Sequence, residues 1–256
     1  ALGTGGDGQT HRVYRSIDDG VTWTEVYNDP TVGGDGKYRK YRRIEVDPEN
    51  PDRVVACGWD RSAGNEPRRV HLITLEATVG VGATWTSSAW ATYARPEETN
   101  MALIIGQNGR VLVAYEHGSA QQIIVDASDD DGISWPNRLL HASSGNEAPR
   151  VMFRAGMYIY LLHAATGGIM RSPDNGNTWE SFTDATLVAY MHGLTWDSVN
   201  DILYTGQGDD PEPDTVLQMV DPSATGNWTD VSSGIAAATG FAKNQLCSEG
   251  LEMLRQ

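Results

Sequence analysis

The eight residues Ser16-Ile17-Asp18-Asp19-Gly20-Val21-Thr22-Trp23 return at the same spacing as Ser128-Asp129-Asp130-Asp131-Gly132-Ile133-Ser134-Trp135. They return again as Ser172-Pro173-Asp174-Asn175-Gly176-Asn177-Thr178-Trp179. The shared pattern, Ser-x-Asp-x-Gly-x-(Thr/Ser)-Trp, is called the box below. A fourth copy, Thr78 to Trp85, has Gly80 where the Asp belongs, and a fifth, Asp221 to Trp228, is one residue short. The tryptophans stand at 23, 85, 135, 179 and 228, so the gaps are 62, 50, 44 and 49 residues.

Each residue type has a reason to be there. The Asp accepts backbone N–H groups inside a tight turn. The Gly permits a positive φ that a Cβ would oppose. The Trp is expected to bury its ring beneath the hairpin and staple it to the sheet. Asp18, Gly20, Trp23, Trp85, Asp130, Gly132, Trp135, Asp174, Gly176 and Trp179 are therefore read as scaffold. None of the three Asp is read as catalytic.

A repeat of this length is one four-stranded blade of a β-propeller. The same strand rhythm surrounds each box. In the second blade it runs Tyr41–Val46, the turn Asp47–Asp52, Arg53–Gly58, Arg69–Glu76 and Trp85–Thr92. The third gives Met101–Gly106, Arg110–Tyr115 and Gln122–Ala127, with Asn108-Gly109 between two apolar runs as a hairpin signal. Arg150–Arg154, Met157–His163 and Gly168–Arg171 start the fourth, and His192–Asp197, Ile202–Gly206, Val216–Val220 and Trp228–Ser232 make the fifth. The chain opens mid-blade, with Leu2–Gly5 as a second strand and His11–Arg15 as a third. Phe241–Leu246 and Leu251–Arg255 read as first and second strands with no box after them. The fold expected is all-β, a propeller of about five four-stranded blades. Residues 1–256 form one domain and both termini close the ring; the alternative is a fragment of a six- or seven-bladed propeller.

Composition narrows the partners. With 34 acidic against 19 basic residues the formal charge is −15. Such a surface repels phosphate backbones and anionic lipid, so neither nucleic acid nor membrane insertion is expected. Two cysteines, Cys57 and Cys247, make no disulfide scaffold and no zinc pattern, and whether they pair stays open. The chain has neither an initiator Met nor a signal peptide, so it is either processed or a piece of something longer.

The boxes resemble the Asp-box, or bacterial neuraminidase repeat, of sialidases, xyloglucanases and sortilin-like receptors. The resemblance implies that boxes lie away from the active site. Ligands would then meet the loops between second and third strands and between consecutive blades. Trp59, Asp60 and Arg61 make the most ligand-like cluster, since an aromatic face with polar neighbours suits a sugar ring. His117, His163 and His192 complete the expected ligand-binding set, and Asp60, Glu116 and Glu147 are the catalytic candidates. Asp209, Asp210 and Asp214 could offer hard oxygens to calcium, but they lack the alternate spacing of a calcium loop. No cofactor or metal is expected, with calcium as the alternative.

The stretch from Met101 to Trp135 is similar to the sialidase pattern, with Asn108-Gly109-Arg110, Val113 to Glu116 and then a box. The Arg-Ile-Pro motif that opens sialidase domains is absent. Arg150 and Arg154 could join an arginine cluster, yet no triad for a substrate carboxylate can be assigned. The first expectation is a non-catalytic recognition or structural propeller, extracellular or on a cell or virion surface. It would bind carbohydrate or a protein at its axial face, alone or as part of a larger assembly. The alternative is a glycoside hydrolase of sialidase-like or xyloglucanase-like type.

Overall fold

The computed structural model describes residues 2–4, 11–28, 38–51, 53–61, 68–76, 85–93, 101–117, 122–130, 132–135, 137–142, 149–163, 168–182, 191–207, 215–220 and 228–231. They form β-strands, turns and one 3₁₀ turn at Gln107–Gly109. The chain divides into two compact units, Ala1–His141 and Ala142–Gln256. The architecture is that of an all-β propeller, each sheet a plain antiparallel meander in which sequence neighbours are sheet neighbours.

The first unit holds three sheets. β1 (Leu2–Thr4), β2 (His11–Arg15) and β3 (Thr24–Asn28) make a three-stranded one. β4 (Tyr38–Val46), β5 (Arg53–Arg61), β6 (Arg68–Glu76) and β7 (Trp85–Tyr93) make the second. β8 (Met101–Ile105), β9 (Val111–His117), β10 (Gln122–Ser128) and β11 (Asn137–Ala142) make the third. The second unit holds two. These are β12 (Pro149–Ala155), β13 (Tyr158–His163), β14 (Ile169–Ser172) and β15 (Glu180–Ser181), then β16 (Met191–Asp197), β17 (Ile202–Gln207), β18 (Thr215–Met219) and β19 (Thr229–Asp230). The segment Phe241–Arg255, expected to complete the first blade, lies outside the described residues.

Each unit has its own core. In the first, Val55 and Cys57 of β5 pack with Met101, Leu103 and Ile105 of β8 and with Val113 and Tyr115 of β9. Every residue of β8 is buried, so this strand reads as a continuous apolar run with both faces covered. In the second unit Tyr160, Leu162, Phe182, Leu203 and Trp228 form the centre. Each large side chain removed from water there contributes about 1.5–3 kcal/mol.

The boxes take the same geometry in all three intact copies. The Asp18 carboxylate accepts Thr22 N–H (2.8 Å) and Thr22 Oγ1–H (2.5 Å), while Ser16 Oγ accepts Gly20 N–H (2.8 Å). Asp130 with Ser134, and Asp174 with Thr178, repeat the pattern. Gly20, Gly132 and Gly176 sit at φ +87°, +82° and +86°, so the turn excludes a Cβ there. One expectation needs correction. The indole N–H groups of Trp23, Trp135 and Trp179 donate to the carbonyls of Gly20, Gly132 and Gly176 at 3.0–3.2 Å. Trp23 closes over its turn from outside and is 52% exposed, whereas Trp135 packs, partly buried, against the first unit's core and Trp228, of the degenerate fifth copy, is buried.

Candidate functional site

In the four-stranded meanders the third strand leads into the fourth at the same end as the turn between first and second strands, and the intact boxes of the third and fourth sheets lie there. The other end holds the last residues of the second strands: Arg61 of β5, His117 of β9, His163 of β13 and Gln207 of β17. Most sequence-named candidates stand here, in their own units. Trp59, Asp60 and Arg61 are the last three residues of β5. Glu116 is next to last in β9, only 7% exposed, with Ile123 as its register partner, and His117 pairs with Gln122. His163 and His192 stand at the same end of their sheets in the second unit. Glu147, Asp209, Asp210 and Asp214 lie outside the described residues. Arg154 belongs to the box end, where its Nε–H donates to the Gly156 carbonyl at 3.1 Å.

His163 is held by its own hairpin. Its backbone N–H donates to the Gly168 carbonyl at 3.0 Å. A Cβ on Gly168 would fall 1.9 Å from His163 Cε1 and 2.0 Å from Nε2, so the imidazole edge fills the space where any other residue's side chain would be. Gly168 is therefore glycine because of its neighbour.

Three of the first strands share a feature invisible in the sequence. β4, β12 and β16 each carry a register shift, between Tyr41 and Arg43, between Pro149 and Val151, and between Met191 and Gly193. The extra residues are Arg42, four positions before the end of β4, and Arg150 and His192, each five positions before the end of its strand. Bulges of this kind interrupt pairing and occur often beside functional sites.

The sequence reading also passed over a signal it could have used. Lys37-Tyr38-Arg39-Lys40-Tyr41-Arg42-Arg43 contains five cations in seven residues. Against an overall charge of −15 this run is a local excess of cations. The structure brings further cations to the same sheet end. Arg39 and Arg69 are both register partners of Asp60, and Tyr38 is the partner of Arg61. Lys40 and Val70 flank Trp59 in the next row.

Along the strands of these sheets lie partly or fully buried polar groups. Tyr115 Oη–H donates to Asp126 Oδ2 at 2.5 Å, both residues being buried. Burial, with the Asp126 charge beside it, pushes the Tyr115 hydroxyl far up. Burial also pushes Glu45, on β4, up to about 7, partly opposed by Arg43. Cys57 is a buried free thiol pushed up to about 12, mainly by burial, and is inert at neutral pH. Among the described residues no cluster of three His, Cys, Asp or Glu could hold a metal ion. None of the described helices is long and apolar enough to cross a membrane.

No family model matches the chain. No curated protein matches it in sequence. Solved structures do match. An α-L-arabinanase of Penicillium chrysogenum, complexed with arabinobiose, is similar over 87% of this chain and 72% of its own, with TM-score 0.54 and 14% identity. The GH93 α-L-arabinofuranosidase of Fusarium graminearum, also with arabinobiose, is similar over 86% and 72%, with TM-score 0.51 and 10% identity. A GH43 β-1,3-galactosidase with galactodeoxynojirimycin is similar over 84% of each chain, with TM-score 0.50 and 10% identity. The chain spans 54% of the length of a second GH43 galactosidase. At these identities the likeness establishes the fold: the chain is built like glycoside hydrolase β-propellers.

Proposed function

We propose that this chain is a carbohydrate-active propeller of glycoside hydrolase type that engages a polysaccharide at the end of its blades opposite the boxes. The likeness to the arabinanase, the arabinofuranosidase and the galactosidase, over more than four-fifths of this chain, carries the reading. It reverses the order of the two expectations above, in which recognition without turnover stood first. An Asp-box ancestry shared with sialidases or xyloglucanases, a single domain over residues 1–256 and a place outside the cell belong to the same proposal.

Hydrolysis of a glycosidic bond takes two carboxyl groups, one giving a proton to the leaving oxygen and one acting on the sugar or on water. In the first unit Glu116 and Asp60 stand at the same end of their sheets. Glu116, taken out of water, is assigned as the acid. Asp60, between two arginine register partners, is assigned as the anionic group. The test is release of reducing sugar from linear arabinan and β-1,3-galactan. Glu116→Gln and Asp60→Asn should each lower the rate about 10²-fold or more. Binding without release by the unaltered chain would restore the non-catalytic reading, and full rates in both variants would move the chemistry to other residues.

A further inference from the structure

Seven of the chain's 19 Lys and Arg stand at one end of one sheet. Arg39, Lys40, Arg42 and Arg43 are on β4, Arg61 ends β5, and Arg68 and Arg69 begin β6. Strands lie about 4.8 Å apart and rise about 3.3 Å per residue, so these positions fall within roughly 15 Å of one another at the sheet end, in rows that alternate between its two faces. Asp60 is the acidic residue in those rows; Glu45 sits further along β4 and Glu76 at the far end of β6. Like charges on neighbouring strands destabilise a sheet. A protein with a formal charge of −15 that nevertheless gathers its cations here concentrates a positive field at one place on an otherwise acidic surface.

We propose that this end of the β4–β5–β6 sheet binds an anionic polysaccharide, one bearing carboxylate or sulfate groups. The inference rests on the reading that the chain engages polysaccharide, and it names the class. Tyr38 is the register partner of Arg61 and Trp59 that of Lys40, so this sheet end combines the aromatic and cationic residue types that sugar rings and their acidic groups call for. The bulge at Arg42 takes one of these cations out of the regular ladder. A single-stranded nucleic acid would also use cations with aromatic platforms; the likeness to sugar-hydrolase propellers favours the polysaccharide, and the DNA arm of the experiment tests the other.

The experiment measures binding of the full chain to polygalacturonate, heparin, neutral linear arabinan and a single-stranded DNA oligonucleotide. A polyanionic polysaccharide should bind more tightly than arabinan and weaken about tenfold or more between about 50 and about 200 mM salt. Preference for polygalacturonate identifies carboxylate, and preference for heparin identifies sulfate. The double variant Arg39→Gln/Arg69→Gln should lose at least tenfold in affinity, while Arg15→Gln on β2 should bind as the unaltered chain does. If the double variant does not fold, Lys40→Gln/Arg68→Gln reads the opposite face of the same sheet end, and the salt dependence of the unaltered chain needs no variant. Failure to bind either polyanion at low salt, equal loss in Arg15→Gln, or tighter binding of DNA would overturn the proposal. The readout is binding, so a chain without turnover can still pass. A chain that hydrolyses neutral arabinan and ignores both polyanions keeps the hydrolase reading and loses this one.

Discussion

Ser, Asp, Gly and Thr of each box close one small hydrogen-bond network, and this explains why those positions tolerate so little variation among the three copies. Gly132 at φ +82° is the clearest case. Replacing it with Ala should cost about 1–2 kcal/mol, the penalty of left-handed backbone for an L-residue, read by thermal or denaturant unfolding. The carboxylates of Asp18 and Asp130 are held below the usual range, first by the hydroxyls of Thr22 and Ser134, then by backbone N–H groups. A depressed carboxylate pKa adds stability above the unfolded-state value, and that stability is lost as pH falls through the folded-state value. Melting should therefore drop on acidification below about pH 4. The gap in melting temperature between neutral and acid pH should narrow in Asp130→Asn. The Gly168 prediction is sharper. Gly168→Ala should cost about 1–3 kcal/mol by driving a methyl into the His163 ring. His163→Ala should relieve much of that cost in the double variant, and a double-mutant cycle measures the coupling.

At the scale of elements, the first hairpin turns matter as much as the boxes. Asp47 Oδ2 accepts Arg53 Nη1–H at 2.8 Å, both side chains being buried, and Gly109 of the next sheet's turn lies against the guanidinium. Arg53→Met should leave the Asp47 carboxylate buried without its cation and cost about 3–5 kcal/mol, seen as a lower denaturation midpoint. The fifth sheet has a related turn, in which Asp197 accepts Val199 N–H and the Asn200 side chain. This second, weaker repeat of Asp followed three residues later by Asn was present in the sequence, but the tryptophans overshadowed it. Glu45 gives an element-scale pH prediction of opposite sign to the boxes. Its folded-state pKa is raised to about 7, so the folded state prefers it protonated, and stability falls as pH rises from about 4.5 to 7. Glu45→Gln should raise stability at pH about 8 by up to roughly 3 kcal/mol and change it little at pH about 4.5. Melting curves at both pH values decide the matter.

At the scale of the whole molecule, the strand ranges were legible because hairpins announce themselves locally. Asn108-Gly109, the Asp47-Pro48 turn and the boxes all act through residues close in sequence. The candidate site was legible only in part. Trp59, Asp60, Arg61, Glu116 and the three histidines do fall at one end of their sheets, because a repeat places equivalent residues at equivalent ends. The function was not legible: the missing sialidase signatures left two rival expectations standing, and the likeness to solved propellers establishes the fold alone. The sequence by itself determined the repeat, the meander and the turn chemistry, since each depends on contacts a few residues long. Only the tertiary structure decided which residues share a row across strands. It set Arg39 and Arg69 on either side of Asp60 and pressed His163 onto Gly168. It placed Arg42, Arg150 and His192 at bulges and left Trp23 half in solvent. Register and burial arise from pairing between distant segments, and a one-residue slip that no local pattern records changes which side chains meet.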